Sequence, residues 1–117
     1  MKQEIDIQEH LPLREATFFI MVSLAPGAKH GYGILKEVES LSDGRVVLST
    51  GTLYGALKRL WGLGWVERIT RHDEGDSGRG RKEYCLTELG RRVLNAEVSR
   101  FQRLMEIARI QVVEQML

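Results

Sequence analysis

Apolar residues cluster most densely near the start of the chain, where they predict a helix over residues 11–25. The Leu-Pro-Leu tripeptide at 11–13 is interpreted as its first turn, where proline is tolerated, and the Pro-Gly pair at 26–27 ends it. Five consecutive apolar residues at 18–22 make this segment apolar on more than one face. A helix that is apolar all round is buried all round. In a chain of 117 residues, we expect a second subunit to contribute to that burial.

Two further helices follow in the pattern. Residues 30–42 carry Ile34, Leu35, Val38 and Leu41, whose spacing is typical of an amphipathic helix. A turn and a short extended connector occupy residues 43–48. Ser49 is then a good N-cap for a third helix through residue 61, because its hydroxyl can accept a hydrogen bond from a free backbone N–H.

The third predicted helix has two contrasting faces. Leu53, Leu57, Leu60 and Trp61 share one face, which we predict packs in the core. Trp61 and Trp65 are each interpreted as a core or an interface aromatic. The opposite face carries small and cationic residues, namely Gly51, Thr52, Gly55, Lys58, Arg59 and Gly62. Its small residues would let another surface come close to the helix, and its cations favour an anionic surface.

Two strands and a long helix complete the pattern. Residues 65–71 and 82–87 are rich in strand formers, and the polar, glycine-rich segment between them predicts a hairpin tip. Thr87 is a suitable cap for a last helix reaching residue 117. Apolar residues recur along this helix at intervals of four and three: Leu94, Val98, Phe101, Met105, Ala108 and Val112. This spacing is typical of a coiled-coil seam and predicts contact with a second subunit.

The order of these elements predicts a mainly α fold with a small β-hairpin, a winged helix-turn-helix with a long C-terminal dimerisation helix. We divide the chain into an N-terminal extension (1–10), a winged helix-turn-helix DNA-binding domain (11–87) and the dimerisation helix (88–117). In this plan the third helix enters the major groove of DNA. The hairpin, or wing, reaches the backbone or the adjacent minor groove.

The distribution of charge supports a nucleic-acid partner more than the total charge does. The net charge is only +1, but residues 49–92 hold nine basic and six acidic side chains. Clustered lysine and arginine suit phosphate contacts, which supply much of the affinity for DNA. The alternative is a winged helix used only as a protein-interaction module. Such a module would not need a basic helix beside a basic wing, and this chain has both.

Several other classes of protein are disfavoured. No apolar run approaches the roughly 20 residues that span a bilayer, and the N-terminus has no apolar signal core, so a cytoplasmic protein is expected. The single Cys85 excludes an intramolecular disulfide, and His10, His30 and His72 lack metal-ligand spacing. No nucleophile motif, P-loop or dinucleotide fingerprint is present, so we expect neither an enzyme nor a cofactor.

Three segments resemble the PadR family of bacterial transcriptional regulators: HGYGILKEVE at 30–39, STGTLYGALKRL at 49–60 and GRGRKEYCLTELG at 78–90. The resemblance covers residues 11–110, and the single last helix resembles the smaller PadR subgroup. It implies a homodimeric winged-helix factor, usually a repressor. Some members release DNA on binding a small molecule such as a phenolic acid, which makes a small-molecule effector a candidate partner. Two recognition helices related by a twofold axis predict a pseudo-palindromic operator.

The pattern and the resemblance together select candidate site residues. We expect DNA contacts from Tyr32, Ser49, Thr50, Gly51, Thr52, Tyr54, Lys58, Arg59, Arg79, Arg81 and Lys82. We expect dimer contacts from Phe18, Phe19, Val22, Leu94, Val98, Phe101, Met105, Ala108 and Val112. The chain departs from the family pattern at positions 50 and 55, where many members carry proline, and at position 61, where many are acidic. Its last helix also lacks the tryptophan that lines a drug pocket in some relatives.

Several of these residues keep a second interpretation at this stage. Tyr54 either fills the edge of the core or presents its hydroxyl to a phosphate. Tyr32 either docks a phosphate at the N-terminus of the second helix or packs between helices. Lys58, Arg59 and the wing cations are otherwise ordinary solvated charges, and three acidic residues in the hairpin tip would repel phosphate. Cys85 is interpreted as a structural thiol, with redox sensing as the alternative.

Overall fold

The computed structural model describes residues 6–71 and 80–116. Its regular elements are α1 (Glu15–Leu24), β1 (Lys29–His30), α2 (Gly31–Leu41), α3 (Thr50–Gly62), β2 (Val66–Arg71), β3 (Arg81–Leu86) and α4 (Glu88–Ala108). A 3-10 turn (Ile7–His10) precedes α1, and α4 continues into a π-helical turn (Arg109–Val113) and a 3-10 turn (Glu114–Met116). The order of helices and hairpin strands confirms the predicted winged-helix plan.

The three strands form one antiparallel sheet in the order β1-β3-β2. β2 and β3 pair along their whole length, with Val66 opposite Leu86 at the base. β1 pairs with the other edge of β3, where Lys29 lies opposite Tyr84. The sequence pattern missed β1, because two residues carry no periodicity. This short pairing fixes the start of α2 against the base of the wing.

The core lies between the four helices and one face of the sheet. Its buried apolar side chains are Ile20, Met21, Leu24, Ile34, Val38, Leu53, Leu57, Leu60, Trp65, Val66, Tyr84, Leu86, Val93 and Leu94. Phe18, Phe19 and Val22 on α1 are only half-buried at its margin. The protomer therefore covers one side of α1 and leaves part of another side open, and the contact of that side with a second subunit stays a prediction.

The first helix begins later than predicted, at Glu15 rather than in the segment 11–13. The backbone N–H of Leu13 donates to the carboxylate of Glu97 on α4, with N and O 2.7 Å apart. Residues 11–14 are thereby held against α4 instead of forming the first turn of α1. Together with the preceding 3-10 turn they form residues 7–14, which we call the strap. Arg100 Nε also donates to the buried Glu97 carboxylate. Burial raises the pKa of Glu97, but these hydrogen bonds outweigh it, so the pKa lies below its usual value and Glu97 is ionised at neutral pH.

The core face of α3 is narrower than predicted. Leu53, Leu57 and Leu60 are buried, but Trp61 is 47% exposed, so its assignment to the core was wrong. The chain reverses after α3, and Trp65 enters the core beside Leu60, its backbone N–H donating to the Leu60 carbonyl at 3.0 Å. Trp65 thus takes the space next to Leu60, and Trp61 remains on the side of α3 that faces β2.

The turn between α3 and β2 is fixed on the start of α4. Thr87 caps α4 as predicted: its Oγ1 accepts from the Gly90 N–H at 3.0 Å and donates to the Gly64 carbonyl at 2.6 Å. A Cβ on Gly90 would overlap the carbonyl oxygen of Trp65. Glycine is therefore required for this close approach, which sets α3 relative to the long helix α4.

Candidate nucleic-acid interface

The exposed face of α3 carries small residues near its N-terminus. Ser49 caps the helix, because its Oγ accepts from the Thr52 N–H at 3.1 Å and its hydroxyl donates to Thr52 Oγ1 at 2.9 Å. Thr52 keeps its own hydroxyl hydrogen to donate elsewhere. Thr50, Gly51 and Gly55 are exposed beside it, and nothing lies within 4 Å of a Cβ built on either glycine. Another surface can therefore approach the helix backbone closely.

The two predicted cations of α3 flank this face on opposite sides. Lys58 lies towards the wing, where it lines a cleft with Arg68 of β2. Arg59 lies towards α1, and its Nη2 donates to Thr17 Oγ1 at 3.0 Å. Arg14, at the N-cap of α1, lines the same side of α3 as Arg59. Lys58 and Arg59, although adjacent in the sequence, thus lie at opposite edges of this face.

A groove of about 480 Å³, here called the wing groove, separates the start of α2 from α3 and β3. Its lining residues are His30, Gly31, Tyr32, Tyr54, Gly80, Arg81 and Lys82. It brings together four predicted DNA-contacting residues, Tyr32, Tyr54, Arg81 and Lys82. The N-terminus of α2 borders the groove, and the positive end of a helix dipole favours an anion. No carboxylate belongs to this lining in the described part of the chain.

Tyr54 contacts the core on one side and lines the wing groove on the other. Its ring meets Tyr84 edge to face, with ring centroids 6.3 Å apart, and its hydroxyl lies over Gly31. A Cβ at position 31 would overlap that hydroxyl, so glycine here makes room for the tyrosine. Tyr54 is nevertheless 44% exposed. One ring edge therefore packs at the margin of the core and the other faces the groove, while the contact of the hydroxyl with a phosphate stays a prediction. The requirement for Gly31 gave no signal in the sequence pattern.

The two faces of the hairpin carry different charges. Residues opposite each other in an antiparallel pair share a face, and neighbours along a strand alternate between faces. Arg68 lies opposite Tyr84, and Lys82 falls two residues before Tyr84, so both cations lie on the face towards α3. Glu67, Arg71, Arg81 and Glu83 lie on the other face, although Arg81, at the open end of the hairpin, also lines the wing groove. The carboxylates of these strands are thus turned away from α3. Arg68 was missed in the sequence, although its alternation with buried Val66 gave a signal for this face.

The remaining predictions concern the hairpin tip, Cys85 and metal binding. Arg79 and the acidic hairpin tip lie outside the described residues. Burial raises the pKa of the Cys85 thiol, and the carboxylate of Glu67, 3.7 Å from Sγ, raises it further. A reactive cysteine needs the opposite environment. Over residues 6–71 and 80–116, no group of three or more His, Cys, Asp or Glu side chains could hold a metal ion.

Part of the predicted seam along α4 is buried within the protomer, and the rest is exposed. Leu94 lies in the protomer's own core, and Phe101 meets Phe18 edge to face with centroids 5.1 Å apart. Met105 is 70% exposed. Val98, Ala108 and Val112 are exposed as well. Further exposed apolar residues that the seam did not include are Leu104, Ile107, Ile110, Val113 and Met116.

None of the described helices combines the length and apolar character needed to cross a membrane.

Comparison with known proteins identifies relatives of this chain. An uncharacterized 37.1 kDa protein of transposon TN4556 from Streptomyces fradiae is 38% identical over 90 residues. The match covers 77% of this chain but only 24% of that protein, so the chain spans about a quarter of its length.

Solved structures share the fold. A PadR family transcription regulator from Clostridium difficile R20291 is 24% identical, with a TM-score of 0.69 over 85% of this chain and 99% of that one. Bacillus subtilis PadR, solved in complex with operator DNA, is 22% identical, with a TM-score of 0.62 over 73% of this chain and 47% of that one. The sequence pattern described as "Transcriptional regulator PadR-like family" matches residues 20–96, most of the winged helix and the start of α4. The chain therefore belongs to the PadR-like family of transcriptional regulators.

Proposed function

We propose that this chain is a sequence-specific DNA-binding regulator that acts as a homodimer and represses transcription by occupying its operator. One observation carries the proposal. The helix α3, the start of α2 and the strands of the wing converge around Tyr54. Lys58, Arg81 and Lys82 line the spaces between these elements, and no described carboxylate does. A protein-interaction module would not require spaces that are lined by cations and by no carboxylate.

In the proposed complex, α3 lies in the major groove, which is wide enough for a helix. Gly51 and Gly55 allow the helix backbone to approach the base edges. Thr52, near the helix N-terminus, has a hydroxyl hydrogen available for a base acceptor. Lys58 and Arg81 contact phosphates, which position the protein but carry no sequence information. The Bacillus subtilis relative bound to operator DNA supports this class of ligand.

Dimerisation follows from the exposed apolar end of α4 in this proposal. Exposed apolar patches of this extent mark interaction sites more often than free surface. The half-buried face of α1 lies beside it through the Phe18–Phe101 contact. A symmetric dimer uses the same patch on both subunits. Its two α3 helices would be related by a twofold axis, so the operator is a pseudo-palindrome.

We also propose that a small molecule releases the protein from its operator. A cleft of about 240 Å³ lies between the strap and α3, and its walls include Leu13, Arg59 and Trp65. Glu97 ties the strap to α4, and His10 of the strap meets Trp65, just after α3, edge to face. A molecule that displaced the strap would therefore change how α3 is held relative to α4. Adding small organic acids to the protein–operator complex tests this part. Dissociation by at least one acid supports it, and an unchanged complex with all of them opposes it.

Substitutions at three positions should separate phosphate contacts from base contacts. Lys58→Ala and Arg81→Ala should weaken operator and scrambled DNA about equally. Each should lower the log–log salt slope by about 1 per protomer, hence by about 2 in the dimer. Thr52→Ala should relax the preference at one base pair in each half-site and leave the slope nearly unchanged. The measurement is a titration of both DNAs at several salt concentrations.

Arg103→Ala is the matched control for this titration, because Arg103 is an exposed cation on α4, on the side opposite the seam. Its removal should leave the salt slope unchanged. If Lys58→Ala and Arg81→Ala behave like Arg103→Ala, the face of α3 and the wing is ordinary surface, and the proposed interface is wrong.

A further inference from the structure

An arginine of the wing stacks on an aromatic residue of α3. The guanidinium carbon of Arg68 lies 4.6 Å from the centroid of the Trp61 ring. A guanidinium over an indole face is a favourable cation–π arrangement, and tryptophan is the best partner for it. Trp61 is half-exposed and contributes little to the core, so this contact is its main visible role.

Arg68 lies in a cleft suited to an anion. This cleft, of about 240 Å³, lies between α3 and the hairpin. Its lining residues are Tyr54, Leu57, Lys58, Trp61, Arg68 and Tyr84. Two cations and three aromatic rings face one another across it, and Arg68 makes no ion pair with any residue that the structure describes. An unpaired guanidinium beside a lysine is a site for phosphate.

Tyr54 also lines the wing groove, so the cleft and the wing groove are neighbours on the wing side of α3. Lys58 and Arg68 line the cleft, and Arg81 and Lys82 line the wing groove. When a helix occupies the major groove and a wing reaches the adjacent minor groove, the strand of DNA between the two grooves passes between helix and wing. The cleft and the wing groove lie between α3 and the hairpin, in that position.

We infer that Arg68 binds a phosphate of the DNA strand that passes between α3 and the wing, and that Trp61 is its positioning residue. The inference rests on the proposed function and adds a site to it. A free arginine side chain loses rotamer entropy when it binds, and its planar fork loses less when it is already oriented. By holding the guanidinium over its ring before DNA arrives, Trp61 reduces that loss.

The test uses the full-length protein and the same salt titrations of operator and scrambled DNA. Arg68→Gln keeps the length of the side chain but removes its charge. It should weaken both DNAs about tenfold and lower the salt slope by about 2 in the dimer. Arg68→Lys should restore the slope but only part of the affinity. Trp61→Leu should weaken binding with the slope nearly unchanged, and Trp61→Phe should recover most of the loss.

The double variant distinguishes positioning from a structural role. With Gln already at position 68, Trp61→Leu should cause no further loss, because its effect acts through the arginine. An additional loss in that background contradicts the role of Trp61. A salt slope unchanged by Arg68→Gln, while Lys58→Ala lowers it, overturns the phosphate site and leaves the proposed function standing. If the unsubstituted protein binds neither DNA, the proposed function itself fails.

Discussion

Met105→Asp should convert the protein into a folded monomer and lower its affinity for the operator about 10²- to 10⁴-fold. Met105 is 70% exposed in the protomer, so the protomer does not need it for folding. In a symmetric dimer each seam position meets the seam of the partner, and a carboxylate buried in an apolar interface is costly without a counter-ion. The loss of affinity follows because each half-site would have to be bound separately. Light scattering and operator titration measure the two effects.

Ser99→Asp is the control, because it places the same charge on an exposed position of α4 opposite the seam. It should leave the dimer and the affinity unchanged. Phe101→Asp is less informative, since Phe101 also packs on Phe18 within the protomer. Dimerisation through α4 would be contradicted by a Met105→Asp variant that stays dimeric, or by a monomeric unsubstituted protein at micromolar concentration.

Gly55→Leu should raise the stability of the protein while abolishing specific DNA binding. Gly55 lies inside α3, and a Cβ built there has no atom within 4 Å. Glycine is less favourable than alanine inside a helix by roughly 0.8–1 kcal/mol, and leucine ranks just below alanine, so the melting temperature should rise. The added side chain extends into the space that the DNA would occupy. Specific affinity should then fall to the non-specific level, a loss of at least about 10³-fold.

Gly55→Ala provides a graded control at the same position. It brings a similar gain in helix propensity with a single added methyl group, so the melting temperature should rise and the loss of affinity should be smaller. Measuring both variants separates damage to the fold from obstruction of the interface. Full operator affinity in Gly55→Leu would mean that this face of α3 does not approach DNA.

Local signals in the sequence were enough to predict most of the fold. The N-cap Ser49, the buried leucines of α3 and the cap at Thr87 depend on neighbours within a few residues, and each was predicted correctly. The start of α1 was not, because Leu13 is held by Glu97, 84 positions away in the chain. A contact of that range leaves no trace in a hydrophobic pattern.

The candidate interface was predicted only in part, for the same reason. The basic α3 and the start of the wing were visible as composition, but the directions of Lys58 and Arg59 depend on what packs on each side of α3. Trp61 was assigned to the core by its helical angle, yet Trp65 fills the neighbouring space. The pairing of Arg68 with Trp61 required the position of β2 against α3. In the sequence, only the alternation of residues along the strand from Val66 indicated on which face Arg68 lies.

The central claim is that two copies of this chain bind DNA through α3 and the wing around a twofold axis. Its most direct test is a hydroxyl-radical footprint on a fragment that the protein selects from the genomic DNA of its source organism. We expect two protected segments, centred about 10–10.5 base pairs apart or a multiple of that, with related sequences on opposite strands. A single isolated protected segment without a dyad, or protection that does not depend on sequence, would contradict the account.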